Sequence, residues 1–318
     1  MTERIKHQGI VPDELAADRL DHVAVILFPQ YSRSRLQSWI KAGELLVDGR
    51  SAKPRDKVYS GELIQIDAST ATTEDKAENI PLEMIFEDDF ILVINKPEGL
   101  VVHPGAGNRE GTLLNALLHH FPRLEEIPRA GIVHRLDKET TGLMVVAKTL
   151  PAQTSLVTQL QAREVKRIYH AVVYGDPHRN GTINAAIGRH PTQRTRMAVR
   201  LNGREAITRY RVLQSFKAHC HMELSLESGR THQIRVHMLH LGYPLVGDPI
   251  YGGHYRKPGN ASEGLVLSIK NFKRQALHAK ELSFIHPESG QEVKFETDLP
   301  HDLADLITQL RMSDESPG

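Results

Sequence analysis

The chain has 318 residues, of which 40% are apolar and 25% are charged, with 40 basic and 39 acidic side chains. This length and apolar content are sufficient for two domains with hydrophobic cores. The single cysteine, Cys220, excludes an intrachain disulfide and favours a reducing compartment. There is no apolar run of about 18 residues that could span a membrane, and the opening MTERIKHQGI lacks the apolar core of a signal peptide. We therefore expect a cytoplasmic protein.

The first 67 residues predict a small α+β domain. Residues 18–28 place their apolar side chains on one helical face, and Ser32 is a candidate N-cap for a second helix that ends before Gly43. Short strands are predicted at 45–47 and 63–66. We expect basic side chains from this part to contact phosphates, among them Arg33, Arg35 and Lys41. Acidic residues are equally numerous here, so a neutral accessory module is the alternative.

Residues 68–80, which are polar and acidic, predict a flexible linker. The second domain is predicted over 81–311, and a disordered tail over 312–318. Within this domain, apolar runs near 84–87, 90–94, 142–147, 167–175 and 222–226 predict strands, with helices only at intervals. This pattern favours an α+β fold whose mixed, mostly antiparallel sheet is flanked by helices.

The segment Ala130–Lys148, AGIVHRLDKETTGLMVVAK, places four polar residues in a short loop between two apolar runs. These residues are His134, Arg135, Asp137 and Lys138. Strands at both ends of a loop fix its position, which suits a rigid functional site. A salt-bridged turn without chemistry is the alternative interpretation.

Four motifs carry a resemblance to a known family. They are residues 94–105, INKPEGLVVHPG; residues 131–148; residues 166–175, KRIYHAVVYG; and residues 226–252, LESGRTHQIRVHMLHLGYPLVGDPIYG. In this order they resemble the RluA-type RNA pseudouridine synthases, and the amino-terminal part resembles the S4 RNA-binding domain. The resemblance implies isomerisation of uridine to pseudouridine, in a stem-loop of large-subunit ribosomal RNA.

The resemblance also implies roles for individual residues. Asp137 would be the catalytic carboxylate, Arg230 the arginine that pairs with it, and Tyr169 the aromatic ring that stacks on the target base. Arg135 would fill the space that the displaced base leaves. Whether Asp137 attacks C1′, adds to C6 or removes the C2′ proton is open at this stage.

Basic residues are concentrated around these motifs. Between Arg129 and Lys217 there are 16 Lys or Arg and 5 Asp or Glu, an excess that suits a polyanion. A solvated basic surface is the alternative. Within the arginine-rich stretch 189–211 we expect phosphate contacts. The residues expected to contact RNA from the second domain are His134, Arg135, Lys138, Arg194 and Arg196.

Nothing in the sequence predicts a cofactor or a metal. Gly105, Gly107 and Gly111 do not have the spacing of a dinucleotide loop, and the histidines at 232, 237 and 240 do not follow a zinc-binding pattern. A monomer is the default expectation. Two alternative functions stay open, a non-catalytic S4-type RNA-binding protein and a hydrolase that uses His134 and Asp137.

Overall fold

The computed structural model describes residues 4–29, 31, 33–69, 76–105, 107–193, 195–252 and 261–315. The chain forms two compact units, Met1–Glu74 and Asp75–Gly318. Three sequence predictions fall outside the described residues: the N-cap at Ser32, the RNA contact of Arg194, and residues 70–75 of the linker. Among the described residues, no helix is long and apolar enough to cross a membrane.

The first unit is a small sheet packed against two helices. Its sheet has the order β1-β6-β3-β4 and is antiparallel throughout. The apolar faces of both helices pack on this sheet around Leu20, Leu36 and Ile40, which are fully or almost fully buried. The elements are β1 (Arg4–Ile10), β2 (Asp18–Arg19), α1 (Leu20–Leu27), α2 (Arg33–Ala42), β3 (Leu45–Val47), β4 (Arg50–Ser51), β5 (Lys57–Val58) and β6 (Leu63–Ser69).

The second unit contains a large sheet with helices around it. Its elements are β7 (Glu83–Glu87), β8 (Ile91–Lys96), α3 (Leu113–His120), β9 (Thr141–Ala147), α4 (Leu150–Ala162), β10 (Lys166–Tyr174), β11 (Gly181–Asn184), β12 (Ile187–Arg189), β13 (Met197–Val199), β14 (Ile207–Ser215), β15 (His219–Leu226), α5 (Gln233–His240), α6 (Glu263–Asn271), β16 (Leu277–Ile285), β17 (Glu292–Glu296) and α7 (His301–Glu315). The main sheet runs β11-β14-β15-β10-β16-β9-β8-β7, and β17 also pairs with β16. Its strand pairs are antiparallel except for β9 with β16. This confirms the predicted α+β class with a mixed, mostly antiparallel sheet.

Strand β9 lies in the interior of this sheet and has all seven residues buried. Met144 and Val146 join the hydrophobic cluster on one face, whereas Leu143 and Val145 join the cluster on the other. Because both faces are covered, the sequence of β9 is a continuous apolar run rather than an alternating one. The polar loop before β9 is therefore attached to one of the most rigid strands of the fold.

Three predicted boundaries are wrong. Residues 68–69, which were predicted as linker, belong to β6 and pair with Ile5 and Arg4 of β1. Residues 76–80 belong to the second unit, because the Asn115 side chain donates to the carbonyl of Lys76 at 2.8 Å and the Glu78 N–H donates to the carbonyl of Asn115 at 3.0 Å. The predicted tail begins too early, because α7 continues to Glu315. Asp314 accepts a hydrogen bond from the Lys217 N–H, which fixes the end of this helix to the sheet. Polarity alone suggested disorder over 76–80 and 312–315, but the hydrogen bonds of these residues give them structure.

Candidate active site

The loop His134–Thr140 is held by contacts at both ends. The Val145 N–H donates to Nε2 of His134 at 3.1 Å, and the Thr140 N–H donates to the carbonyl of Asp137 at 3.0 Å. Burial, followed by the nearby Arg167 charge, lowers the pKa of His134 to about 3. The imidazole is therefore neutral and serves as a hydrogen-bond acceptor for β9. His134 thus fixes the loop, and its RNA contact stays a prediction.

Lys96, at the end of β8, is a second residue that holds the loop His134–Thr140. Its side chain is completely buried, and Nζ donates to the carbonyls of Pro97, Leu100 and Lys138 at 2.7, 2.9 and 2.9 Å. Burial lowers the pKa of Lys96 to about 7, although the charges of Glu139 and Asp137 oppose this effect. The three carbonyls satisfy the three donors of the ammonium group. Lys96 thus connects the INKPEG segment to the residue that follows Asp137.

Arg235 is the guanidinium that reaches Asp137. Its Nη1 donates to Oδ2 of Asp137 at 2.9 Å, while Nε and Nη2 donate to the two oxygens of Asp248 at 2.7 and 2.8 Å. Burial disfavours the charge on Arg235, but the hydrogen bonds and charges of Asp248 and Asp137 outweigh it and raise its pKa above the usual value. The Asp248 carboxylate also accepts the N–H groups of Ile250 and Tyr251, both at 2.9 Å. This network keeps one oxygen of Asp137 oriented and leaves the other toward the cleft.

The predicted pairing of Arg230 with Asp137 is wrong. The Arg230 side chain lines the same cleft, but its Nε donates to the carbonyl of Glu205 at 3.1 Å. Helix α5 begins after His232, whose φ of 57° turns the backbone sharply. Arg230 therefore lies before the helix, whereas Arg235 lies in the helix, where residues 233–238 are all buried. A buried arginine needs an acidic partner, but the sequence does not show which of the two arginines is buried.

His232 faces the second oxygen of Asp137. Its Nε2 is 4.0 Å from Oδ1, and its Nδ1 shares a hydrogen bond of 2.8 Å with the Tyr251 hydroxyl. Burial lowers the pKa of His232, although the charge of Asp137 opposes this. Tyr251 is itself buried, and its ring lies between the guanidinium groups of Arg196 and Arg235, 5.2 and 5.0 Å from its centroid. Sequence reasoning assigned no role to His232 or to Tyr251.

Tyr169 forms one wall of the cleft. It lies on β10, opposite Leu224 of β15 and Ala279 of β16, and is only 5% exposed. Burial raises the pKa of its hydroxyl, so that the phenol stays protonated. The cleft has an empty volume of about 540 Å³, including space open to solvent. Its lining is Arg135, Leu136, Asp137, Thr140, Arg167, Tyr169, Leu226, Gly229, Arg230, Thr231, His232, Gln233, Ile234, Arg235 and Leu277.

Comparison with known proteins identifies this arrangement. Residues 90–240 match the family model described as RNA pseudouridylate synthase, and residues 18–64 match the S4 domain. The chain is 56% identical to the ribosomal large subunit pseudouridine synthase D of Pseudomonas aeruginosa, over 99% of both chains. The chain belongs to the RNA pseudouridylate synthase family. A protein of the same name from Xanthomonas campestris is 54% identical, over 96% of this chain and 92% of the relative.

Solved structures agree with this family assignment. The human RNA pseudouridylate synthase domain containing 4 has a TM-score of 0.57 and 26% identity, over 72% of this chain and 93% of the human one. The human domain containing 1 protein shares the fold with a TM-score of 0.54 and 24% identity, over 76% of this chain and 99% of its own. This pseudouridine synthase is an enzyme, so the non-catalytic RNA-binding protein and the His–Asp hydrolase are set aside.

The basic side chains around the cleft of the synthase differ in whether they are bonded to other parts of the described chain. Arg135 and Lys138 are exposed, and their side chains have no hydrogen bond or ion pair with the rest of the described chain. Arg196 is less free, because Nη1 donates to Gln193 at 3.0 Å and its guanidinium stacks on Tyr251. The exposure of Arg135 and Lys138 is compatible with an RNA contact, which stays a prediction for both residues.

The S4 domain of the synthase shows the same distinction. Arg33 donates to the buried Asp21 at 2.8 Å, and Asp21 also binds Arg19 and Gln37. Despite burial, these three hydrogen bonds lower the pKa of Asp21 to about 2. Arg35 lies 5.6 Å from the Trp39 ring, and Lys41 is exposed at the end of α2. Phosphate contact by the three residues stays a prediction, with Arg33 already committed to Asp21.

Proposed function

We propose that this enzyme isomerises uridines to pseudouridine in large-subunit ribosomal RNA, with Asp137 as the catalytic carboxylate. The curated relatives that cover nearly the whole chain carry this substrate in their names. The observation that supports Asp137 most strongly is its position: a carboxylate bonded to the buried Arg235, with one oxygen toward a cleft that Tyr169 lines. The S4 domain and the basic excess around the cleft are consistent with an RNA substrate.

The geometry fits the steps of the isomerisation. The bond between N1 of uracil and C1′ of ribose must break, the base must turn, and C5 must bond to C1′. An ionised carboxylate at Asp137 can act as a nucleophile or as a base, and attack on C1′, addition to C6 and removal of the C2′ proton are all compatible with its position. Arg235 keeps this group oriented without a water layer, which reduces the reorganisation needed in the transition state.

Tyr169 and Arg135 suit the handling of the base. The target uridine must leave its stack before it can reach a buried carboxylate, at a cost of a few kcal/mol. The Tyr169 ring offers a flat apolar surface for the extruded pyrimidine, and the exposed Arg135 can occupy the vacated position in the RNA. Lys138 would bind a flanking phosphate. Substrate and product are isomers, so we propose that no redox cofactor or added group takes part.

Tritium release from RNA that carries 5-³H-uridine tests the proposal, because C5 loses its hydrogen when it bonds to C1′. We expect release from large-subunit ribosomal RNA with the wild type and none with Asp137→Ala or Asp137→Asn at equal RNA binding. Release by both variants at the wild-type rate would remove Asp137 from this role. No release by the wild type from large-subunit RNA, with release from another RNA, would overturn the substrate. A ribosomal substrate would place the enzyme in the cytoplasm; the monomeric state stays a prediction.

A further inference from the structure

Arg167 is a buried cation of the cleft that has no partner among the residues that the structure describes. It lies on β10, two residues before Tyr169, and is 8% exposed. Its Nε is buried without a hydrogen-bond partner, and the described residues provide no hydrogen bond or ion pair to any of its nitrogens. The side chain nevertheless lines the cleft that contains Asp137.

The other buried arginines of this unit are neutralised within the fold. Arg235 binds two carboxylates, and Arg274, which is 4% exposed, binds Asp302 through Nε and Nη2, both at 2.7 Å. Arg196 also has an unpartnered Nε, but its Nη1 is bonded to Gln193. A buried charge without a partner reduces stability, and natural proteins retain such groups mainly at functional sites. The missing partner of Arg167 would therefore arrive with the substrate.

The surroundings of Arg167 leave space for its guanidinium and leave its donors unbonded within the described chain. A Cβ on Gly229 would lie 2.9 Å from Nη1, so the glycine leaves room for the guanidinium. The nearby His134 is a neutral acceptor whose Nε2 is already bonded to β9. No described carboxylate forms an ion pair with Arg167, so its donors stay available to an oxygen in the cleft.

We propose that Arg167 binds a carbonyl oxygen of the target uracil and stabilises the negative charge that the base acquires. This inference rests on the proposed function. When the N1–C1′ bond breaks, both electrons go to the base, and the charge spreads over N1, O2 and O4. When C5 then bonds to C1′, these electrons form the new bond, and any bond between Asp137 and C1′ breaks. The C5 proton is then lost to a base and N1 takes up a proton, so that the product is a neutral isomer of the substrate. If the carboxylate instead adds first to C6, the charge also resides on a pyrimidine oxygen. Arg167 serves in each case.

A pyrimidine oxygen fits this position better than a phosphate does. Arg135 and Lys138 are exposed on the loop that carries Asp137, where the RNA backbone can run. Arg167, in contrast, is almost fully buried beside Tyr169, the side chain on which we place the extruded base. A charged phosphate at that depth would carry a large desolvation penalty, whereas the burial of a neutral uracil carbonyl costs much less.

The variants Arg167→Met and Arg167→Lys test this inference, with Arg311→Met as a control. Arg311 binds Gln214 on the surface, away from the cleft. We expect Arg167→Met to unfold at the same temperature as the wild type or above it, because it removes an unpaired buried charge. Its single-turnover rate on saturating RNA should fall about 100-fold, as for loss of one donor to a developing anion. Arg167→Lys should recover part of this rate, and RNA affinity should change little.

Two results would overturn the inference. A lower unfolding temperature for Arg167→Met than for Arg311→Met would make the residue structural, and a wild-type single-turnover rate in a stable Arg167→Met would remove it from the chemistry. RNA with methylphosphonates on both sides of the target distinguishes a phosphate partner. If the defect of Arg167→Met disappears on that RNA, Arg167 binds phosphate and the inference fails. An inactive wild type would instead refute the proposed function, so the two failures are distinguishable.

Discussion

The Asp248 carboxylate, whose side chain is fully buried, holds the Arg235 guanidinium through two hydrogen bonds of 2.7 and 2.8 Å. Asp248 is not itself one of the residues that line the cleft, yet it decides where the third nitrogen of Arg235 meets Asp137. Asp248 is thus a positioning residue that acts through Arg235.

Substitution of Asp248 or Arg235 should therefore reduce both the stability of the protein and the rate of the reaction. Asp248→Ala leaves Arg235 with a single carboxylate in a buried site, and we expect a loss of about 3–5 kcal/mol in the free energy of unfolding. We expect Arg235→Gln to lower kcat at least about 100-fold, because Asp137 loses its charged partner. Arg230→Gln is the matched comparison, with an expected loss below about 10-fold. Urea unfolding and single-turnover assays measure these effects, and equal losses at 230 and 235 would contradict the assignment of Arg235.

Lys96 should make stability depend on pH in the alkaline range. Its pKa is about 7 in the native protein and 10.5 ordinarily, so between these values the unfolded chain holds a proton that the native one has released. The free energy of unfolding then rises with pH, by up to about 1.4 kcal/mol per unit, and this gain disappears as the pH falls toward 7. In urea unfolding at pH 7, 8 and 9, the free energy of unfolding of Lys96→Met should not show this rise with pH. The exposed Lys166→Met should retain it, and parallel curves for wild type and Lys96→Met would refute the prediction.

Arg135 should matter most when the target uridine is stacked. The exposed side chain has no partner in the described part of the fold and can replace the extruded base. We expect Arg135→Ala to lower kcat/KM by about 10- to 100-fold on a stem-loop, since extrusion costs a few kcal/mol. On an unstructured oligonucleotide with the same uridine the loss should be several-fold smaller. Equal losses on both RNAs would instead indicate a simple phosphate contact.

The S4 domain offers a comparison between a free and a paired cation. Lys41 is exposed, whereas Arg33 is bonded to Asp21. If Lys41 contacts a phosphate, Lys41→Gln should weaken RNA binding and reduce the salt slope of log K by about 1. Arg33→Gln should reduce the slope less but lower the stability of the domain, because Asp21 loses one of its partners. Binding titrations at several salt concentrations and thermal unfolding separate these effects; an unchanged slope in Lys41→Gln would exclude its phosphate contact.

The sequence predicted the structure best where a pattern of residues has only one physical explanation. The continuous apolar run of β9 has a single explanation, a strand covered on both faces, so the loop with Asp137 could be located correctly. Arg230 and Arg235 lie five residues apart in the same motif, and only the starting point of α5 decides which of them points to Asp137. The left-handed turn at His232 sets that point, and no local pattern predicts it.

Long-range contacts account for the other omissions. Strand β16 provides Leu277 to the cleft and pairs with both β9 and β10, but its sequence LHAKELSFI mixes apolar and charged residues. Lys96 and Asp248 looked ordinary in sequence because the contacts that tie them to the site, with Lys138 and Arg235, span 42 and 13 residues. A side chain's role in such a network depends on distances that composition and periodicity do not contain.

The residues that build the cleft are far apart in the sequence, and this has a consequence while the chain is being synthesised. Lys96 must meet Lys138, Arg235 must meet Asp248, and Leu277 closes the wall beside them. A growing polypeptide therefore cannot assemble this cleft until β16 has emerged from the ribosome and paired with β9 and β10. Its S4 domain, complete within the first 74 residues, can fold much earlier. RNA could thus meet the nascent chain before any catalytic centre exists.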